Sequence, residues 1–259
     1  MSARAVTSLT NPTVKAARAL HMRKERDASG LFLVEGLKSV IEAVRSGRAP
    51  RLLLHGAGAA DHPLTLEAAS VAGETVEVSD AILAKISRRD NPQAVLGVFD
   101  QAFTPLRDFD PAAARCWVAL QAVRDPGNLG TIIRTADAAG CGGVILVGEC
   151  CDPYSVEAVR ATMGSIFAVP LARANVSEFI AWRETWPGAV VGTLLSAVTD
   201  FRAADYRHPT LILMGNEQAG LPDDLAAICD VTVKIPMRGR ADSLNLAVAT
   251  GVMIYAVTG

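Results

Sequence analysis

Short apolar runs alternate with amphipathic stretches along almost the whole chain, and this alternation restricts the possible folds more than any single residue does. "LFLVE" (31–35) reads as a strand, "GLKSVIEAVRSG" as a helix, "RLLLH" (51–55) as a strand and "LTLEAASVA" as a helix. "TVEVS" is then a strand, "DAILAKISR" a helix with Asp80 as its N-cap, and "AVLGVF" (94–99) a strand. The polar stretch "DQAFTPLRDFDPAAAR" has two prolines and no period, and reads as a linker. The pattern resumes with "CWVALQAV", "LGTIIRTADAAG", "GVILVG", "SVEAVRATMG", "IFAVP", "VSEFIAWRETW", "AVVGTLL", "TLILMG", "DDLAAI", "VTVKIP" and "SLNLAVATGVMIYAV". A mainly parallel sheet covered on both faces satisfies such an alternation most economically. The expectation is an α/β chain with a small domain over 1–103, a linker at 104–113 and a second domain over 114–259.

Half of the 259 residues are apolar, enough for sizeable cores. No apolar run reaches the length that crosses a bilayer, and the start "MSARAVTSLTNPTVKAARAL" lacks the apolar core of a signal peptide, so the expected location is cytoplasmic. Cys116, Cys141, Cys150, Cys151 and Cys229 contain no CxxC pair, and His21, His55, His62 and His208 lie far apart, so neither a disulfide framework nor a metal site is expected. The formal charge of −2 conceals an asymmetry. Residues 1–51 carry ten Lys or Arg against four acids, and the remainder carries 15 against 23. A basic arm over 1–30 on an acidic body suits a phosphate backbone, although "VKAARALHMRKER" reads equally as a solvated helical face.

Ligands of such sheets bind in loops at strand ends. Three of these are unusually polar: "RDPGNLG", "GNEQAGLP" and "IPMRGRADS". None has a phosphate-cradling or dinucleotide glycine pattern, which disfavours a Rossmann-type enzyme. Gly215, directly after "LILM", leaves room for a ligand near the backbone, and Gly220 lets the loop reverse at positive φ. Asp242 or Ser243 is placed to N-cap the last helix, and Asn245 on that helix needs a hydrogen-bond partner, for which the first loop is the candidate. Arg134 follows a helix start at Asn128; leaning toward the N-terminus, its side chain is expected over Gly130, aimed at the strand-end cleft. The last helix is apolar on nearly every side, which calls for cover on a second face.

In order, "DPGNLGTIIRTADAAG" (125–140), "LILMGNEQAGLP" (211–222) and "IPMRGRADSLNLAVATG" (235–251) resemble the three motifs of the SpoU, or TrmH, family of RNA ribose methyltransferases, within the SPOUT superfamily. Residues 1–100 are similar to the substrate-binding domain that often precedes the catalytic one. The resemblance implies a homodimer, S-adenosylmethionine held in a deep C-terminal trefoil knot, and methyl transfer to a ribose 2′-hydroxyl. The two-domain layout is more similar to members acting on rRNA; a tRNA enzyme, or an RNA-binding protein of the same fold without catalysis, is the alternative. The implied catalytic group is Arg134, Asn128, Glu217, Ser243 and Asn245, with Glu217 holding Arg134 or a loop amide. The implied cofactor contacts are Leu194, Met214, Gly215, Asn216, Glu217, Gly220, Ile235, Met237, Ser243 and Leu244. RNA contacts are expected from Lys15, Arg18, Arg23, Lys24, Arg26 and Lys38, with no metal.

Overall fold

The computed structural model describes residues 4–259; residues 1–3 of the basic arm and the side chain of Arg4 lie outside the described residues. The described residues form two compact units, one of 4–101 with 152–167 and one of 102–151 with 168–259.

The first unit holds β1 (Arg4–Val6), α1 (Pro12–Ala19), α2 (Arg23–Ser29), β2 (Leu31–Glu35), α3 (Leu37–Arg45), β3 (Leu52–His55), α4 (Pro63–Val71), β4 (Glu74–Val78), α5 (Asp80–Ser87) and β5 (Val95–Asp100). Its sheet runs β1-β4-β3-β5-β2 and is mixed: β5 lies antiparallel to both β2 and β3. Alternation alone pointed to parallel pairing, but it does not reveal that β5 enters the sheet from the opposite end. Ser79, not Asp80, caps α5 through its hydroxyl, and Asp80 takes the first helical position. The basic stretch is two helices, not one, because the chain turns at Leu20–Met22. That turn carries Arg26 inside, only 3% exposed, where its guanidinium donates to Asp152 and to the Leu20 carbonyl. Arg26 is therefore a structural ion-pair partner and not an RNA contact. Lys15, Arg18, Arg23, Lys24 and Lys38 are exposed.

Residues 152–167, including α7 (Val156–Thr162), belong to this unit. Val156 joins its core beside Leu33, Ile82 and Leu96. Tyr154 and Phe167 stack on Phe32 at 4.6 and 5.8 Å, and Phe167 meets Phe99 edge-on at 5.0 Å. Arg160 makes a fork on Glu35 with two 2.8 Å bonds.

The second unit holds β6 (Cys116–Gln121), α6 (Pro126–Ala138), β7 (Val144–Val147), β8 (Leu171–Ala174), α8 (Val176–Arg183), β9 (Val190–Thr193), β10 (Thr199–Asp200), β11 (Thr210–Met214), α9 (Asp223–Ala227), β12 (Val231–Lys234) and α10 (Leu246–Thr258). Its seven-stranded sheet runs β10-β12-β9-β11-β6-β7-β8, and every pair is parallel. The strand expected at "IFAVP" lies further on, at Leu171–Ala174, because Ser165–Phe167 form a 3-10 turn whose Phe167 packs in the first unit. The core is built on Trp117, Ala119, Ile145, Phe179, Leu211 and Leu213. From β6 the order runs outward through β7 and β8, and the later strands build on the other side. Such a reversal opens a crevice at the carboxyl ends of the strands.

Candidate functional site

Four strand-end loops of the second unit enclose one cavity of about 1070 Å³. Arg124, Asp125 and Asn128 follow β6; Thr193 to Ser196 follow β9; Met214 to Leu221 follow β11; Ile235 and Met237 follow β12. The segment from Asp242 to Leu246, at the head of α10, completes the wall.

The β11 loop owes its shape to two glycines. Gly220, at φ +70°, reverses the chain, and Asn216 and Gly220 exchange two backbone hydrogen bonds of 3.0 and 2.9 Å. A Cβ on Gly215 would overlap the backbone of Gly220 and Leu221, so the small residue makes room for the loop's own return rather than for a ligand. Asn216, 8% exposed, donates to the Ala122 carbonyl at 2.6 Å and accepts from Gln218 and Ala219 amides. Its amide is thus engaged in building the loop.

Glu217 is the centre of the polar wall. Its carboxylate accepts from the backbone amides of Arg124 and Asp125 at 3.4 and 3.5 Å and from the side chains of Asn128 and Asn216 at 3.3 and 3.4 Å. Of the two roles expected for Glu217, the structure supports the loop amides. Asn128 also accepts from Asn245 Nδ2 at 2.9 Å, so the partner anticipated for Asn245 is in the first loop. Asn245 is exposed, however, and it is the N-cap of α10, where its Oδ1 takes the amides of Ala247 and Val248. Neither Asp242 nor Ser243 caps that helix; the Ser243 hydroxyl donates to Asp242 at 3.0 Å. The cap of α6 is Asp125, accepting from Asn128 N at 2.6 Å, with Pro126 at the first helical position in place of the expected start at Asn128.

All ten residues expected at the cofactor line this cavity, as do Asn128, Glu217, Ser243 and Asn245. Arg134 does not. Gly130 is buried, and Arg134 lies on the exposed stripe of α6 with Thr131 and Ala138. Missed from sequence were Arg124 and Thr193. Thr193 ends an apolar strand, and its hydroxyl oxygen is buried in the cavity wall with no hydrogen-bond partner. Only an unusual polar residue at a strand end could have signalled it. No group of His, Cys, Asp or Glu among the described residues could hold a metal ion. Burial pushes the Cys229 thiol up to about 12 and raises Cys150, so neither is a nucleophile at neutral pH.

Residues 115–255 match the model of the SpoU rRNA Methylase family, and residues 11–97 match that of the MRM3-like substrate binding domain. The 23S rRNA (guanosine(2553)-2′-O)-methyltransferase RlmP of Bacillus subtilis is 31% identical, over 98% of this chain and 99% of the relative. The 23S rRNA (uridine(2479)-2′-O)-methyltransferase of Streptomyces viridochromogenes is 33% identical, over 98% and 91%. The AdoMet-bound rRNA methyltransferase of Sinorhizobium meliloti superposes with a TM-score of 0.92 at 50% identity, covering 98% of this chain and 97% of that one. With three loops in motif order around one cavity and a family model spanning more than half of its length, the chain belongs to the SpoU rRNA methylase family.

Proposed function

We propose that the protein is an S-adenosylmethionine-dependent methyltransferase acting on a ribose 2′-hydroxyl of rRNA. The observation that carries this reading is the mixed lining of the cavity: apolar Leu194, Met214, Ile235, Met237 and Leu244, fit for a purine ring, and polar Asn128, Glu217, Ser243 and Asn245, fit for an amino-acid group and a sugar. The buried Thr193 hydroxyl without a partner is a further point of fit, since a nucleoside brings the donor or acceptor that it lacks. S-adenosylmethionine, when bound, supplies a methyl group activated by a positively charged sulfur.

The chain's own groups do the rest. The hydrogen bonds joining Glu217, Asn128 and Asn245 hold the loops of three motifs in one arrangement before any ligand arrives, which lowers the entropy of reaching the reactive geometry. Ser243, whose hydroxyl is oriented by Asp242, lines the cavity as a hydrogen-bond partner for the acceptor ribose. The Arg134 guanidinium stabilises the developing alkoxide by charge and hydrogen bonding. Because it lies outside the cavity walls of its own chain, it reaches the ribose from the cavity's outer side or from a second copy.

A homodimer is part of the reading. Val248 and Tyr255 are 54% and 56% exposed on α10 and Val252 is half-buried between them, a stripe at helical spacing that a second copy would cover. We also assign the protein to the cytoplasm and its C-terminal segments to the family's trefoil knot. Calorimetry with S-adenosylmethionine, followed by nuclease digestion and mass spectrometry of rRNA and tRNA incubated with labelled cofactor, tests the function. A 2′-O-methylated nucleotide in rRNA is expected. A methylated base, label in tRNA alone, or no cofactor binding at millimolar ligand would overturn it.

A further inference from the structure

Among the described residues that line the cavity, Arg124 is the one Lys or Arg, against the acids Asp125, Glu217, Asp223 and Asp242. Three of these carboxylates have partners: Asp125 caps α6, Glu217 holds loop amides, and Asp242 accepts from Ser243. The Arg124 guanidinium takes part in none of the hydrogen bonds and ion pairs of the cavity wall; its backbone N–H alone is engaged, by Glu217.

The backbone that presents it is tied at every residue. Ala122 sits at φ +47°, a conformation that a residue with a Cβ adopts only where its surroundings enforce it. The surroundings are the Asn216 amide on the Ala122 carbonyl, the Cys151 amide on the Val123 carbonyl at 2.7 Å, and Glu217 on the amides of Arg124 and Asp125. A strained turn held from three sides fixes the backbone of Arg124 in the cavity wall and leaves its guanidinium unpaired.

We propose that Arg124 is a substrate-binding residue that forks onto a phosphate flanking the ribose to be methylated. The proposal rests on the methyltransferase reading. A polyanion approaching a cavity lined by four carboxylates needs a cation there, and a guanidinium matches two phosphate oxygens at once.

The test uses the full-length chain, unmodified 16S and 23S rRNA transcripts, and the variants Arg124→Ala, Arg124→Lys and Arg124→Glu. Arg124→Ala is expected to raise KM for the transcript that the wild type methylates about tenfold, to reduce the slope of log affinity against log salt by about one unit, and to leave the calorimetric Kd for S-adenosylmethionine within twofold. Arg124→Lys should restore the slope but only part of KM, because it keeps the charge and loses the fork. Arg124→Glu should be worse than Ala. An unchanged KM and salt slope in Arg124→Ala would overturn the proposal. So would a weakened S-adenosylmethionine Kd with RNA binding intact, which would give the guanidinium to the cofactor's carboxylate, or a changed mass in light scattering, which would give it to a second copy. Failure of the methyltransferase reading is separate: there the wild type itself neither binds the cofactor nor methylates.

Discussion

Asn245 uses both ends of one amide: its oxygen closes the first turn of α10, and its nitrogen donates to Asn128 on α6. Asn245→Asp keeps the cap and loses the donor, whereas Asn245→Ala loses both. Thermal melts should show Asn245→Ala less stable by about 1 kcal/mol, the usual worth of such a cap, and Asn245→Asp near wild type, while both lose turnover. Gly215 allows a sharper expectation. Gly215→Ala puts a methyl group into the backbone of Gly220 and Leu221, which cannot swing aside as a side chain can. S-adenosylmethionine binding should disappear in calorimetry, with a loss of stability of about 1–3 kcal/mol, as for other overpacked sites. His21 gives a pH dependence. Burial lowers its pKa below the ordinary value, and its Nε2 lies 2.6 Å from the Ile86 carbonyl. Protonation therefore favours the unfolded chain: the stabilisation is present above pH of about 6.5 and is lost as pH falls through the lower folded value. Urea midpoints from pH 7.5 to 5.5 should fall more steeply in wild type than in His21→Gln. The polarity of the three motif loops singled them out as ligand loops, and the cavity residues within them were legible through the resemblance to the SpoU motifs. That Arg134 lies outside the cavity walls of its own chain was not legible, because a helical side chain leaning toward Gly130 is guided by spacing, and spacing does not say which stripe the sheet buries.

Elements were legible where one period ran unbroken, and misread where a local hydrogen bond decided the boundary. α6 and α10 were both expected, yet their caps, Asp125 and Asn245, were each assigned to a neighbour, since several residues in either loop could accept the first amides. "VKAARALHMRKER" looked continuous because charge masks a turn that contains neither Gly nor Pro. The turn at Leu20–Met22 is what makes Arg26 a buried partner of Asp152. Asp152→Ala should destabilise the protein by about 3–5 kcal/mol, since it leaves a buried charge unpaired, and a joint Arg26→Met, Asp152→Leu change should recover most of that in denaturant melts. On α10, the exposed stripe through Val248, Val252 and Tyr255 makes its own forecast. Light scattering of wild type should give twice the 27.2 kDa of one chain, and Val248→Glu with Tyr255→Glu should return the mass of a single chain.

Across the whole molecule, charge is divided between the ends of the chain, and the basic share remains exposed at Lys15, Arg18, Arg23, Lys24 and Lys38. Reversing Arg18, Arg23 and Lys24 to Glu should weaken rRNA binding and flatten its salt dependence by about one unit of slope per lost phosphate contact, with cofactor affinity unchanged; an unaltered slope would return these residues to a solvated face. Two-domain organisation could be read from the polar linker, but the excursion of 152–167 could not, because a helical period does not announce which core receives it. That excursion means the chain passes from one unit to the other three times, after 101, 151 and 167. A protease that nicks 104–113 therefore does not yield two self-sufficient halves. The longer piece still carries Tyr154, Val156 and Phe167, whose neighbours Phe32, Leu33 and Phe99 are on the shorter one. Fragment complementation follows: the nicked protein should migrate as one species on a sizing column, separate only in denaturant, and reassemble when the pieces are mixed and the denaturant is removed.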